Sequence, residues 1–200
     1  MRTLVPLSGG YDSTAVLHRL LTETDDAIHA YHLSHRIGRH HNRPETLAVK
    51  DIVRWLYRHD RPFTFSSSTF STSLGCGSAP LVFVGLFSGV LANVLMEQER
   101  FDRIVIGSIG PQEAGSQANN DIGEALFEAI TEHRMVPPRF DYPFQHDGST
   151  KAGMIAAMPA ELREMAWTCK HPVKVPGGWR PCGVCAKCTE REAAFKEAGL

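Results

Sequence analysis

A strand, a glycine turn and the start of a helix are compressed into one short stretch of this chain. Residues 3–7 form an apolar run, and an apolar-periodic segment begins near Ser13. Between them stands Leu7-Ser8-Gly9-Gly10-Tyr11-Asp12-Ser13-Thr14. Two adjacent glycines permit tight backbone conformations and let an anion approach the main chain. Ser8, Ser13 and Thr14 add hydroxyls, and the following helix presents unpaired N–H groups and the positive end of its dipole. Such a turn suits a phosphate or pyrophosphate. No lysine follows the glycines, so it is not the G-x-x-x-x-G-K-S/T loop, and it lacks the third glycine of G-x-G-x-x-G. Without a ligand, the same residues would make a strand-to-helix turn with Ser or Asp as N-cap.

The alternation continues downstream. Strands are expected over 2–7, 27–33, 62–65 and 102–107, and helices over 13–22, 44–59, 80–99 and 121–134. Pro44 and Glu45 suit the first turn of the second helix. Its core candidates are Leu47, Ile52, Val53, Trp55 and Leu56. Residues 34–43, rich in His and Arg, read as a loop, as do the Ser/Thr-rich 66–77 and the Gly/Ser/Asn/Gln-rich 108–120. Residues 137–144 read as extended. Two short helices follow over 151–157, capped by Ser149 or Thr150, and 159–165. A Pro/Gly-punctuated loop over 167–180 leads to a last helix from about Ala186.

This order predicts an α/β fold, a mostly parallel sheet with helices on both faces. Ligands of such sheets sit outside the carboxyl ends of the strands. The loops at Ser8, Ser34 and Ser108 therefore face one crevice, which gives 108–120 a substrate role. His32 and His35 lie near that crevice.

Two hundred residues suffice for one core with an appended subdomain. A formal net charge of −1 announces neither a nucleic-acid nor a membrane surface. There is no signal-peptide pattern and no membrane-length apolar run, so a cytoplasmic protein is expected. Five cysteines are present, and four of them, Cys169, Cys182, Cys185 and Cys188, fall near the end of the chain. In a reducing compartment such clustering argues for metal before disulfides. Four thiolates complete a tetrahedral zinc site with no open position, which makes it structural. His171 is a rival fourth ligand, and an iron–sulfur cluster is the alternative. Cys76 stands apart as a small buried residue.

Ser8-Gly9-Gly10-Tyr11-Asp12-Ser13 resembles the PP-loop, S-G-G-x-D-S, of the ATP pyrophosphatase superfamily, whose fold is adenine nucleotide alpha-hydrolase-like. Trp167-Thr168-Cys169, followed by Pro181-Cys182-Gly183-Val184-Cys185-Ala186-Lys187-Cys188-Thr189-Glu190-Arg191, is similar to the ending of the 7-cyano-7-deazaguanine synthase family. Weaker echoes lie between: Ile106-Gly107 before a polar loop ending at Asp121, and the segment 140–151. The resemblance implies a nucleotide-binding domain over 1–165 and a zinc-knuckle subdomain over 166–200. It implies ATP held by residues 7–17, that is Leu7, Ser8, Gly9, Gly10, Tyr11, Asp12, Ser13, Thr14, Ala15, Val16 and Leu17. Asp12 would hold the Mg2+, and Asp12, Ser13 and Lys151 would act in the chemistry.

The family uses ATP and ammonia to convert 7-carboxy-7-deazaguanine, a small deazapurine, to the nitrile in the queuosine pathway. Adenylation makes the carboxylate an acceptor, ammonia forms the amide, and a second activation releases water. A homodimer is a further implication. The middle of the chain departs from the family. Tyr31-His32-Leu33-Ser34-His35-Arg36 replaces a Y-G-Q-R-H-like run. Ala79-Pro80-Leu81-Val82-Phe83-Val84-Gly85 replaces a P-G-R-N-like motif. Gly110-Pro111-Gln112-Glu113 stands where an acidic pattern is usual. Two other readings remain: a different PP-loop adenylating enzyme, such as a tRNA sulfurtransferase or a divergent deazapurine amide ligase, and a non-catalytic nucleotide-binding partner.

Overall fold

The computed structural model describes residues 1–37, 40–41, 43–72, 101–109, 116–132 and 139–200. The helix expected over 80–99, Cys76 and the segment 110–115 lie outside them.

Strand β1 (Arg2–Pro6) leads through the glycine turn into helix α1 (Tyr11–Glu23). Then come β2 (Ala27–Ile37), β3 (His40–His41), α2 (Arg43–His59) and β4 (Thr64–Thr72). Strand β5 (Arg103–Val105), α3 (Ser116–Thr131) and β6 (Arg139–Asp141) follow. Three short helices, α4 (Pro143–His146), α5 (Lys151–Ala156) and α6 (Ala160–Met165), lead to the hairpin β7 (Val173–Val175) and β8 (Gly178–Arg180). Helix α7 (Ala186–Glu197) closes the described order.

The sheet is mostly parallel, as the alternation predicts. β1 pairs in parallel with β2 and β5, β4 with β2, and β6 with β5, while β3 returns antiparallel along the end of β2. Period-two alternation along β1 divides the core between the two faces. Val5 joins Val16, Leu17, Ile52 and Leu56 in one cluster under α1 and α2. Leu4 joins Tyr31, Phe101, Ile104 and Phe127 of α3 on the other. Helices thus cover both faces.

Several boundaries differ from the sequence expectation. β2 runs on through Ile37 and β4 through Thr72, across residues whose polarity reads as loop. The two extensions pair with each other, from Ser34 opposite Thr69 to Ile37 opposite Thr72. Thr and Phe fit a pleated surface well, and an edge strand need not be apolar on both faces. Helix α1 begins at Tyr11, with Gly10 in the N-cap position and no side-chain cap, so Asp12 and Ser13 belong to its first turn. Helix α3 begins at Ser116, inside the stretch read as loop. On α2, Leu47 is exposed, and Ala48 and Val49 take the core positions in phase with Ile52, Val53 and Leu56.

At the opposite end of the sheet from the turn, Arg103 ties three segments together. Its Nε donates to Thr3 Oγ1 at 3.1 Å and its Nη2 to Asp26 Oδ2 at 2.8 Å, while Nη1 is paired with Asp141.

Candidate functional site

The glycine turn is organised by its own hydroxyls. Ser13 Oγ accepts from Ser8 N at 3.1 Å and lies 2.9 Å from Ser8 Oγ, and Gly10 N donates to Ser8 Oγ at 3.3 Å. Gly9 has φ +85°, and a Cβ there would stand 2.9 Å from the carbonyl oxygen of Glu45 on α2. Only glycine meets both demands. Beneath the turn, His32 is buried and its Nδ1 donates to the Leu7 carbonyl at 2.8 Å. His32 therefore supports the turn from within the sheet rather than facing the crevice as expected.

Gly107, just past β5, abuts the first turn of α1. A Cβ on it would lie 2.2 Å from the Asp12 carbonyl oxygen. From the other side, Trp167 N donates to the Gly9 carbonyl at 2.7 Å. The turn is thus fixed by α2, the end of β5 and the chain that leads to the cysteines.

Lys151 opens α5, which is properly capped: Thr150 Oγ1 accepts from Gly153 N at 3.0 Å. Its ammonium points back at the turn, 2.6 Å from Asp12 Oδ1 and 2.9 Å from Oδ2. Glu190 Oε1 lies 3.2 Å from the same nitrogen, and Glu190 Oε2 pairs with Lys187 at 2.8 Å. Lys170 faces Glu45 at 3.5 Å. A cleft of about 120 Å³ opens among these groups, lined by Ser8, Gly10, Tyr11 and Asp12 of the turn together with Lys151, Lys187 and Glu190. Tyr11 meets Phe195 of α7 edge to face at 5.6 Å, and burial pushes its phenol pKa upward.

The sequence-predicted nucleotide residues fall into two groups. Ser8, Gly9, Gly10, Tyr11, Asp12 and Ser13 form the turn and the first helical turn. Leu7, Thr14, Ala15, Val16 and Leu17 are buried and pack beneath it, anchoring it from inside. Lys151 and Asp12, far apart in the chain, are brought into contact. Glu45, Lys170, Lys187 and Gly107 were not singled out as site residues by the sequence. A Lys187–Glu190 pair at i,i+3 spacing was the available signal for α7.

The four predicted cysteine ligands also converge. Their sulfurs all lie within 4.8 Å of one another and can hold one metal ion. Cys169 is buried beside Trp167, whose indole N–H donates to the Cys169 carbonyl at 3.1 Å. Main-chain N–H groups point at the sulfurs: Cys182 N at Cys169 Sγ, 3.2 Å, and Cys185 N at Cys182 Sγ, 3.4 Å. The Val184 N–H lowers the Cys182 thiol pKa. Burial works to raise Cys185, but the N–H groups of Lys170 and Cys188 outweigh it and hold that thiol at about 6. Cys185 is also the N-cap of α7, so the knuckle sets where that helix starts.

The mostly parallel sheet, the serine–glycine turn and the helix behind it define an α/β fold with a glycine turn at the carboxyl end of its first strand. Among solved structures the fold is similar to the U34-tRNA thiolase NcsA from Methanococcus maripaludis with its 4Fe-4S cluster. The likeness has a TM-score of 0.53 at 15% identity and covers 98% of this chain and 65% of that one. In sequence the chain is similar to 7-cyano-7-deazaguanine synthase of Methanosarcina mazei, 31% identical over 128 residues, 62% of this chain and 53% of that protein. The chain thus spans about half the length of the curated relative it matches. No family model matches it. Among the described residues, no helix is long and apolar enough to cross a membrane.

Proposed function

We propose that the chain is an ATP-dependent carbon–nitrogen ligase that adenylates the carboxylate of 7-carboxy-7-deazaguanine and passes it to ammonia. The observation that carries this reading is the folded Ser8–Ser13 turn with Lys151 seated on Asp12 at its rim. The sequence likeness to 7-cyano-7-deazaguanine synthase supplies the acceptor.

In this reading the substrate carboxylate oxygen attacks the α-phosphorus of ATP, and the bond to the β-phosphate breaks. Pyrophosphate leaves toward the turn, where hydroxyls of Ser8 and Ser13 and the first N–H groups of α1 meet its charge. Lys151 adds a cation at the same place. Asp12 is the carboxylate suited to hold magnesium, which lowers the barrier by sharing phosphate charge. Ammonia then displaces AMP to give the amide. A second adenylation, now of the amide oxygen, permits loss of AMP and formation of the nitrile.

The cysteines fit structural zinc. A zinc–sulfur bond of about 2.3 Å gives a tetrahedral sulfur–sulfur edge of about 3.8 Å. Cys182 and Cys188 lie 3.9 Å apart. A four-iron cube gives each thiolate its own iron and spreads the sulfurs further. In this reading residues 166–200 form a zinc-bearing subdomain packed on the nucleotide site.

The test is a coupled assay. Protein, ATP, magnesium and ammonium are incubated with 7-carboxy-7-deazaguanine, and products are read by mass spectrometry. Nitrile formation supports the full reaction, and amide alone shortens it to the first half. AMP without either product keeps the adenylation and assigns another acceptor. Absence of ATP turnover removes the ligase reading.

A further inference from the structure

We propose that α7, the helix that begins at the cysteine knuckle, supplies a second phosphate contact to the cleft. Lys187 is the cation, and Glu190 is an internal anion that occupies it until a phosphate displaces it. The proposal rests on the ATP reading above and adds residues to it.

Lys187 stands between two cysteines of the knuckle, Cys185 and Cys188, and the backbone there is closed by Cys188 N donating to the Cys185 carbonyl at 2.8 Å. A metal held by those sulfurs would therefore also fix the base of the Lys187 side chain. One turn on, Glu190 offers one oxygen to each of two ammonium groups: Oε2 to Lys187 at 2.8 Å and Oε1 to Lys151 at 3.2 Å.

A pair at i,i+3 on a helix surface is ordinary and weak. The bridge to Lys151 is not of that kind, because Lys151 belongs to α5 and touches Asp12 of α1 as well. Two lysines from different elements thus converge on a space filled by one carboxylate, beside Ser8 and Gly10 of the turn. A phosphate presents the same geometry of paired oxygens with more charge. Glu190 and Lys187 are 32% and 37% exposed, so their pairing is screened and exchangeable. The carboxylate keeps the lysines together without an anion and competes with one that arrives.

The experiment measures pyrophosphate binding to the full chain by calorimetry with magnesium present. Metal content and circular dichroism serve as folding controls. Lys187→Met is expected to weaken pyrophosphate about tenfold, the scale of one charge-assisted contact. Glu190→Gln keeps size and removes the competitor, and is expected to tighten binding about threefold at low salt. That gain should shrink in the double variant, because the cation it releases is gone. A merely structural Glu190 would show no such coupling.

Unchanged affinity in Lys187→Met, or weaker binding in Glu190→Gln, overturns the proposal. Should Glu190→Gln fail to fold, Lys187→Met decides alone. Wild-type protein that binds neither pyrophosphate nor ATP removes the ATP reading, and this contact with it. Wild-type protein that binds both, with Lys187→Met indistinguishable from it, removes this contact only.

Discussion

At the scale of single residues, the site depends on groups that leave no room for alternatives. Gly107 is the sharpest case. An added methyl group would collide with the Asp12 carbonyl oxygen at 2.2 Å, and that atom is helix backbone. Gly107→Ala is expected to destabilise the fold by about 2 kcal/mol or more, the scale of core overpacking. Urea unfolding checks this, and an unchanged midpoint would mean that the contact is not made. Asp12 is different in kind. Its side chain is about one third exposed, and its carboxylate carries the ion pair with Lys151. Asp12→Asn is expected to leave the unfolding midpoint nearly unchanged. It should lower ATP–pyrophosphate exchange by about a hundredfold, as loss of an electrostatic group at a phosphoryl centre does. Full exchange activity in that variant would remove Asp12 from the chemistry. The turn was legible because its chemistry is local: glycines and hydroxyls within six positions. Gly107 was legible only as a neighbour of a polar loop, since the helix it touches lies almost a hundred residues away.

At the scale of elements, two helix starts hold the residues of interest: α5 opens on Lys151, and α7 has Cys185 as its N-cap and Cys188 in its first turn. Helix α5 starts at Lys151 because Thr150 caps it. Thr150→Ala is expected to cost about 1 kcal/mol, the usual value of a lost cap. It should also reduce exchange activity, because the first residue of the helix is the one that reaches Asp12. Unfolding and exchange measured on the same variant separate the two effects. Helix α7 starts at Cys185. On the proposed reading of one zinc per chain, Cys185→Ala is expected to lower the bound metal and to reduce thermal stability, since metal binding is folding free energy. Metal analysis of the purified protein checks the first and a melting curve the second. The cysteine spacing was legible because two of its intervals are local. The hairpin β7–β8 within the Cys169–Cys182 interval was missed, although Pro176-Gly177 is a strong turn signal. Three-residue strands that each carry a charge and are bounded by proline and glycine show too little alternation to register.

At the scale of the whole molecule, the clasp around Arg103 couples the sheet to pH. Asp26 is nearly buried, with its side chain 9% exposed. Burial works to raise its carboxyl pKa, but the Thr3 hydroxyl and the Arg103 guanidinium outweigh it and hold it at about 2. The folded value lies below the unfolded value of 3.8, so the stabilisation is fully present above that value. It is lost as pH falls through about 2. The difference corresponds to about 2 kcal/mol. Urea titrations at pH 5 and pH 2.5 are expected to show a larger loss for wild type than for Asp26→Asn. Equal losses would mean that this carboxylate does not carry the acid sensitivity.

Some features were decided by sequence alone. The strand–turn–helix at Ser8, the capped start at Lys151, the cysteine quartet and the α/β order follow from residue type and short spacing. Short-range sterics, capping and ligand chemistry act without reference to the rest of the fold. Other features were decided only by the tertiary structure. The polar extensions of β2 and β4 became strands because each found the other, and hydrogen bonding between segments more than thirty residues apart is invisible to local polarity. The same holds for the cleft. Asp12, Lys151 and Glu190 form one charged group because α1, α5 and α7 pack at one end of the sheet, and no spacing in the chain encodes that distance.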